Sequence, residues 1–263
     1  MRDEVLLETQ GITKRFRGLV AVDKFDLAVR KGTIHSLIGP NGAGKTTVFN
    51  VITGIYRPED GKVVFQGQML NGLKPHEILA RGIARTFQNP RLFKNMTCLE
   101  NVMAGGHVHG RAGFWASILR LPHQRREERA IQARAEEWLR KLGLWYFRYE
   151  LARNIPYGCQ KLLELARALA AQPTVLLLDE PTCGLNESEK ETMMNFIGSL
   201  PKEGITVLLV EHNMNVVMGL SDLITVMNYG RKIAEGTPEE VYNNPVVIEA
   251  YLGRGEEHAI ASG

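Results

Sequence analysis

Short apolar runs alternate with segments of helical periodicity along this chain. The runs at 34–38, 175–178 and 205–210 have the length and the nearly continuous apolar character of buried β-strands. The segments at 125–142 and 187–200 instead repeat apolar residues at the spacing of an amphipathic helix. The pattern therefore predicts an α/β protein with a sizeable core.

The first part of the chain is predicted to be rich in β-strand. Strands are indicated at 5–16, 20–29 and 32–38, and a short one begins at 62–65 after a Pro-Glu-Asp-Gly turn. From Thr97 the pattern becomes helical, because this threonine and the glutamate three residues later form a capping box. The chain thus changes from strand-rich to helical within its first hundred residues.

Turn and capping residues mark the helices of the second half. A helix at 162–171 stops before a proline, and the helix before it ends at Gly143. Further helix starts are predicted at Asn186, at Thr237 with proline in the first helical position, and at Pro245.

A glycine-rich stretch follows the apolar run at 34–38. Gly39, Gly44, Lys45 and Thr46 fit the phosphate-binding pattern of two glycines separated by four free positions, followed by lysine and a hydroxyl residue. Glycines let several backbone N–H groups face one anion, and the following helix adds the positive end of its dipole. The lysine reaches the β- and γ-phosphates, and the threonine hydroxyl suits Mg²⁺. The predicted loop comprises Gly39, Pro40, Asn41, Gly42, Ala43, Gly44, Lys45, Thr46 and Thr47.

The alternative interpretation of this stretch is a glycine turn that only caps a helix. The apolar strand before it and the helical run after it are the context that a phosphate-binding loop requires, so we favour nucleotide binding.

Two adjacent carboxylates end the apolar run at 175–178. Unpaired buried carboxylates are costly, so this placement calls for a function or for exposure in a turn. In the functional interpretation Asp179 holds Mg²⁺, and Glu180 accepts a proton from an attacking water molecule. A phosphate-binding loop needs such a carboxylate on a neighbouring strand, which favours this interpretation.

Three other residues have both a structural and a functional interpretation. Phe16 is either a core residue or a platform for an adenine ring. Gln88, which precedes an Asn-Pro break, is by itself a turn residue. His212 follows the apolar run at 205–210 and is either structural or placed to contact a γ-phosphate.

The charge balance, the cysteines and the length of the apolar runs exclude several classes of protein. The 263 residues carry 32 basic and 29 acidic side chains, and this balance does not imply nucleic-acid binding. The three cysteines suggest neither a disulfide framework nor a zinc site, which fits a reducing cytoplasm. We read no signal peptide, and no apolar run is long enough to span a bilayer, so a membrane role would come through a partner.

The order of these motifs resembles the ATP-binding subunits of ABC transporters over nearly the whole chain. The matching segments are 39–46, Gln88, 156–160 leading into 166–169, 179–181, 183–186 and His212. Within that family the chain looks most like the larger of the two ATPases of branched-chain amino-acid uptake systems. This closer resemblance rests on 39–50, on Arg-Thr-Phe-Gln at 85–88, on Pro-Tyr-Gly at 156–158 and on the ending at 244–253, and the mixed insertion at 110–126 also fits it.

The resemblance implies a fold and a division of the chain. We expect an α/β P-loop NTPase fold of the ABC cassette type, with a RecA-like core, an antiparallel β subdomain and a helical subdomain. One domain would span 1–253, with the core and β subdomain at about 1–87 and 162–253, the helical subdomain at about 88–161, and a flexible tail at 254–263.

The resemblance also implies roles for individual residues, with ATP and Mg²⁺ as substrate and cofactor. Phe16 would stack on adenine, Glu180 would be the general base and His212 the γ-phosphate switch. Gln88 would sense Mg²⁺ and the attacking water and report to a membrane subunit. Pro156, Tyr157 and Gly158 would contact the nucleotide bound to the opposing cassette in a head-to-tail dimer.

The resemblance implies a peripheral location at the cytoplasmic face of the cytoplasmic membrane. The partners implied are a second ABC ATPase, transmembrane permease subunits and, indirectly, a solute-binding protein. Homodimer and heterodimer both stay open, although the subgroup favours a pair of different ATPases. The alternative functions are uptake of urea or amides, export of lipid or lipopolysaccharide, and a soluble ATP switch on DNA or ribosomes. The last is disfavoured by the single cassette and the lack of heptads.

Two departures from the family pattern bear on the composite site. The family signature sequence Leu-Ser-Gly-Gly-Gln is replaced here by Ile-Pro-Tyr-Gly-Cys at 155–159. In this segment Pro156 has no N–H to donate, and Cys159 stands in place of glutamine. Asn186 replaces the usual aspartate, so coupling between subunits is expected to differ there.

Overall fold

Two β-sheets organise the described part of the chain, residues 4–109 and 122–252 of a computed structural model. In chain order the strands are β1 (Val5–Phe16), β2 (Leu19–Arg30), β3 (Ile34–Ile38), β4 (Asp60–Phe65), β5 (Gln68–Met69), β6 (Ile83–Arg85), β7 (Val175–Asp179), β8 (Thr206–Val210), β9 (Leu223–Asn228) and β10 (Arg231–Gly236). The first sheet is antiparallel, with the strand order β2-β1-β4-β5. The second has the order β10-β9-β3-β8-β7-β6 and is parallel except for β10.

Nine α-helices lie in the described part of the chain. They are α1 (Lys45–Ile52), α2 (Pro75–Ala80), α3 (Cys98–Gly106), α4 (Pro122–Lys141), α5 (Tyr157–Ala170), α6 (Glu187–Ser199), α7 (Met214–Leu220), α8 (Pro238–Tyr242) and α9 (Pro245–Leu252). Short 3₁₀ segments occur at His107–His109, Trp145–Phe147 and Leu200–Glu203. The α/β fold class is thereby confirmed.

Capping residues begin several helices where the sequence predicts. Thr97, Asn186 and Thr237 each accept a hydrogen bond from the backbone N–H three residues later, and the carboxylate of the glutamate at that position accepts one from the backbone N–H of the cap. Because asparagine caps a helix about as well as aspartate, Asn186 fulfils the local structural role of the residue it replaces.

Helix α5 begins at Tyr157, five residues before the predicted start at 162. Pro156 has extended backbone and acts as the N-cap, and its carbonyl accepts the Gln160 N–H at 2.9 Å. A proline is tolerated there because the N–H of a residue at the cap has no helical partner to lose. The predicted boundary at 161/162 between the core and the helical part therefore falls inside this helix.

The central strands β7 and β8 are buried at every position. Buried clusters cover both faces of their sheet, which explains why these strands are apolar without alternation. In register, Asp179 pairs with Val210 at the carboxyl ends of β7 and β8. The polar residues that follow these two strands are therefore brought to the same edge of the sheet.

Helices α3 and α5 approach each other closely at Gly105. A β-carbon at this position would overlap the backbone carbonyl of Arg167, so only glycine permits this packing.

Cys98, at the start of α3, is buried, and burial raises the pKa of its thiol to about 11. It is one of three free cysteines.

Two predicted features lie wholly or mostly outside the described residues, namely the tail at 254–263 and residues 110–121 of the insertion predicted at 110–126. Among the helices that the structure describes, none combines the length and the apolar character needed to cross a membrane.

Candidate active site

The loop between β3 and α1 has a backbone that only glycine can adopt at its two ends. Gly39 and Gly44 have φ of 152° and 111°. A β-carbon on Gly39 would overlap the carbonyl oxygen of Met227, and one on Gly44 would overlap that of Ala21. The two predicted glycines therefore fix the shape of the loop.

The first turn of α1 is open to an anion. Gly44 is its N-cap and has no side chain with which to accept a hydrogen bond from this turn. The buried Lys45 ammonium donates to the carbonyls of Gly39 at 2.6 Å and Pro40 at 3.0 Å, so its charge lies within the loop. Backbone N–H groups, the helix dipole and a cation thus face one position, which is an anion-binding arrangement.

Glu180 follows β7 with φ of 48°, an unusual conformation for a residue other than glycine. Its N–H donates to the Val210 carbonyl at 2.8 Å, which holds this turn against the end of β8. Such a conformation costs on the order of 1–2 kcal/mol and is maintained here by its surroundings.

Three of the four residues predicted to be catalytic meet in one hydrogen-bonded group. Gln88 Nε2 donates to Glu180 Oε2 at 2.6 Å, and His212 Nε2 lies 2.8 Å from Glu180 Oε1. The carboxylate therefore has a defined partner on each oxygen. This geometry suits a group that must accept a proton in one fixed direction.

Asp179 is buried at the end of β7 and forms an ion pair. Its Oδ2 accepts from Arg85 Nη2 at 2.7 Å, and both side chains are almost inaccessible, with 7% and 5% exposure. Thr46 is exposed at the first turn of α1.

The donor set in this region fits magnesium rather than a protein-enclosed metal. No group of three or more His, Cys, Asp or Glu suited to a metal occurs within the described ranges. Mg²⁺ is usually held by one or two protein oxygens together with water and phosphates, and the Thr46 hydroxyl and the Asp179 carboxylate are oxygens of that kind.

Helix α5 supplies two buried charged residues that the sequence analysis did not identify. Lys161 Nζ donates to the Glu180 carbonyl at 2.8 Å, and burial lowers the pKa of this lysine. The Glu164 carboxylate accepts the N–H groups of Phe87 at 3.2 Å and Arg91 at 2.8 Å, on either side of Gln88. Burial raises the pKa of Glu164. The sequence contained a signal for these two residues, because the charges of Lys161 and Glu164, three positions apart, interrupt an otherwise apolar helix.

Glu211 is a further buried carboxylate that the sequence analysis passed over. Its Oε1 accepts from Thr182 N at 2.9 Å and Thr182 Oγ1 at 2.7 Å, while its Oε2 accepts from His212 N at 3.1 Å. It therefore ties the segment after Glu180 to the segment that carries His212.

The segment at 156–158 lies beside the segment at 183–189. The Tyr157 ring lies against Gly184, and a β-carbon on Gly158 would overlap the Glu189 carboxylate. No side chain caps α5, so the N–H groups of its first turn are not engaged by a capping side chain. The missing N–H of Pro156 removes nothing from this turn.

Phe16 ends β1 with 37% exposure. Its ring meets Tyr56 edge-on at 5.1 Å between centroids, and Lys14 Nζ lies 5.4 Å from its centre. The residue is thus partly accessible, as a stacking platform must be, and the adenine contact stays a prediction.

The fold and this site together define a P-loop nucleotide-binding protein. Comparison with known families makes the class specific. The family model described as ABC transporter matches residues 22–183, and that described as branched-chain amino acid ATP-binding cassette transporter matches residues 231–257.

Curated relatives match almost the full length of the chain. A high-affinity branched-chain amino acid transport ATP-binding protein, BraF of Pseudomonas aeruginosa, is 45% identical over 249 residues, covering 94% of this chain and 98% of its own. LivG of Escherichia coli K12, which carries the same description, has the same identity and coverage. LivG of Archaeoglobus fulgidus, described as a probable protein of this kind, is 40% identical over 248 residues, covering 94% and 95%.

Solved structures agree. A nucleotide-free ATP-binding cassette from an ABC transporter superposes with a TM-score of 0.82 at 33% identity, covering 94% of this chain and 99% of the other. A dimeric cassette in a post-hydrolysis state with ADP and Pi has a TM-score of 0.76 at 26% identity, covering 89% and 99%. This chain belongs to the ABC transporter ATP-binding family, and the ATPase fold predicted from the sequence is confirmed.

Proposed function

We propose that this chain is the ATP-hydrolysing subunit of an importer for branched-chain or related small amino acids. The relatives at 45% identity are described as transport proteins for this class of solute. The observation that carries the ATPase part of the proposal is the hydrogen-bonded group in which Gln88 and His212 hold the two oxygens of Glu180.

In the proposed mechanism each residue of the loop and the strand ends has a separate task. The backbone N–H groups of 39–47 and the Lys45 ammonium bind the phosphates, and Phe16 stacks on the adenine. Glu180 accepts the proton of the attacking water, while His212 contacts the γ-phosphate. Thr46, Asp179 and Gln88 would hold Mg²⁺, which would supply neutralisation of the phosphate charge.

A second cassette would complete the site. The Pro156, Tyr157 and Gly158 segment offers uncapped N–H groups at the start of α5. A solved relative of this fold is dimeric with ADP and Pi. We propose that this helix start faces the γ-phosphate held by the opposing cassette, in a homodimer or a heterodimer.

The membrane partner is proposed to dock in an apolar groove next to Gln88. A cavity of about 480 Å³ lies between α2 and α3, and its lining includes Phe87, Phe93 and Ala104. Phe93 is 53% exposed, which is high for an aromatic ring at the edge of a groove. We propose that an amphipathic helix from a permease subunit fills it at the cytoplasmic face of the membrane, and that the solute-binding protein acts through that permease.

The decisive experiment on hydrolysis replaces the proposed base. Glu180→Gln keeps the size of the side chain and one of its two acceptor oxygens but cannot accept the proton, so turnover should fall by about 10²-fold or more while ATP still binds. Glu187→Gln, at an exposed acid of α6, is the matched control and should keep normal turnover. Full turnover in the first variant would reject Glu180 as the base.

The solute and the partners require a separate test. Co-purification of the intact complex should recover permease subunits, and transport assays on that complex should show uptake of a branched-chain amino acid. Placing a charge in the groove, as in Ala104→Glu, should reduce recovery of the permease without affecting ATP binding. Co-purification with export components would instead support an exporter, and uptake of urea or amides would support a different imported substrate.

A further inference from the structure

Arg85 joins three parts of the site that are far apart in sequence. It ends β6, and its guanidinium is buried. Nη2 donates to Asp179 Oδ2, while Nη1 donates to Asn50 Oδ1, also at 2.7 Å, and lies 3.4 Å from Thr53 Oγ1. One side chain therefore connects the helix that follows the phosphate loop to the carboxylate at the end of β7.

The guanidinium is also stacked between rings. Its central carbon lies 5.3 Å from the centre of the Phe49 ring and 4.8 Å from that of Phe87, the residue before Gln88. Arg85 and Phe87 both line the apolar groove. With its central carbon over two aromatic rings and two nitrogens engaged in hydrogen bonds, the guanidinium has little freedom to rotate.

We propose that Arg85 is a positioning residue for magnesium, which fixes the Asp179 carboxylate through one oxygen and leaves the other to face the cation. The proposal rests on the proposed ATPase function. A carboxylate that accepts a fixed hydrogen bond keeps one orientation, and partners of this kind commonly tune metal affinity. The alternative is that Arg85 only neutralises a buried charge, in which case any cation at this position would serve.

Arg85→Lys separates the two possibilities. Lysine keeps the positive charge but lacks the planar fork needed to hold Asn50 and Asp179 together. Arg91→Lys is the matched control, because Arg91 lies 4.0 Å from the same Phe87 ring and is exposed. Asn50→Ala is the second variant, since it loosens the guanidinium while keeping its ion pair with Asp179.

The measurement is ATP binding by the purified full chain, by calorimetry, in EDTA and along a Mg²⁺ titration, with a thermal melt for each variant. We expect Arg85→Lys to bind ATP in EDTA as the wild type does. The Mg²⁺ concentration that gives half of the maximal change in ATP binding should rise about tenfold or more in this variant. This is the scale expected for the loss of a residue that orients a metal ligand. Asn50→Ala should shift the same midpoint in the same direction by a smaller factor, and Arg91→Lys should leave it unchanged.

The outcomes are distinguishable. A normal Mg²⁺ midpoint in folded Arg85→Lys would overturn the proposal while leaving the ATPase function intact. If that variant does not fold, a normal midpoint in Asn50→Ala would overturn it instead. An equal shift in Arg91→Lys would also overturn it, because the effect would then pass through the Phe87 ring. Absence of ATP binding by the wild type in Mg²⁺ would count against the proposed function itself.

Discussion

The burial of His35 makes the unfolding free energy of this protein depend on pH. The size of this dependence can be calculated from the shift in the pKa of the histidine. The side chain lies in β3 with no solvent exposure, and its Nε2 is 2.8 Å from Thr225 Oγ1. Burial lowers the pKa of this histidine from 6.5 to about 4, with the nearby Glu235 opposing and Lys232 and Arg30 adding to the shift. The folded protein therefore keeps the ring neutral at pH values where the unfolded chain protonates it.

The sign follows from proton binding. Between pH 6.5 and about 4 the unfolded chain binds more protons at this site, so stability falls as the pH is lowered through this window. With these two pKa values, lowering the pH from 7 to 5 removes about 2 kcal/mol of unfolding free energy, and complete titration removes about 3 kcal/mol.

The nearby carboxyl of Glu235 does not titrate in the pH range used to test His35. Hydrogen bonds from Lys232 and Thr225 outweigh the effect of burial and lower the pKa of its carboxyl below 4.5. The stability that it contributes is present above pH 4.5 and is lost only as the pH falls through its folded pKa. Between pH 7 and 5 the histidine therefore titrates without interference from Glu235, and comparison with His35→Gln cancels the contribution of other groups such as the Glu164 carboxyl, whose pKa is raised by burial.

The assay is urea unfolding at pH 7, 6 and 5 for the wild type, His35→Gln and the exposed control His76→Gln. Glutamine does not titrate, so the loss of unfolding free energy between pH 7 and 5 should be smaller by about 2 kcal/mol in His35→Gln alone. The same loss in His35→Gln as in the wild type would refute the reasoning, because the pH dependence would then come from other groups.

Three further substitutions test the local geometry. Gly39→Ala should abolish ATP binding, measured by calorimetry, because its β-carbon would overlap the Met227 carbonyl and distort the phosphate loop. Asn186→Ala should lower the unfolding free energy by about 1 kcal/mol through loss of the helix cap, whereas Asn186→Asp should leave it nearly unchanged; urea unfolding distinguishes them. Gly105→Ala should lower the melting temperature by several degrees or more, because α3 must move away from the Arg167 carbonyl.

Features that depend on contiguous residues could be predicted from the sequence. The phosphate loop is one, because its shape follows from glycines at two fixed positions before a helix. The caps at Thr97, Asn186 and Thr237 are others, since each joins residues three apart. The start of α5 was predicted at 162, whereas the helix begins at Tyr157 with Pro156 as its cap.

The sequence alone thus determined which segments form strands and predicted which residues take part in nucleotide chemistry, because both are encoded over a few neighbouring positions. Only the tertiary structure decided their partners. Gln88 reaches Glu180 across 92 positions, and Arg85 reaches Asp179 across 94. These contacts depend on β6 and β7 lying side by side, with their carboxyl ends at one edge of the sheet. That strand order comes from packing of the whole core, which no local pattern records.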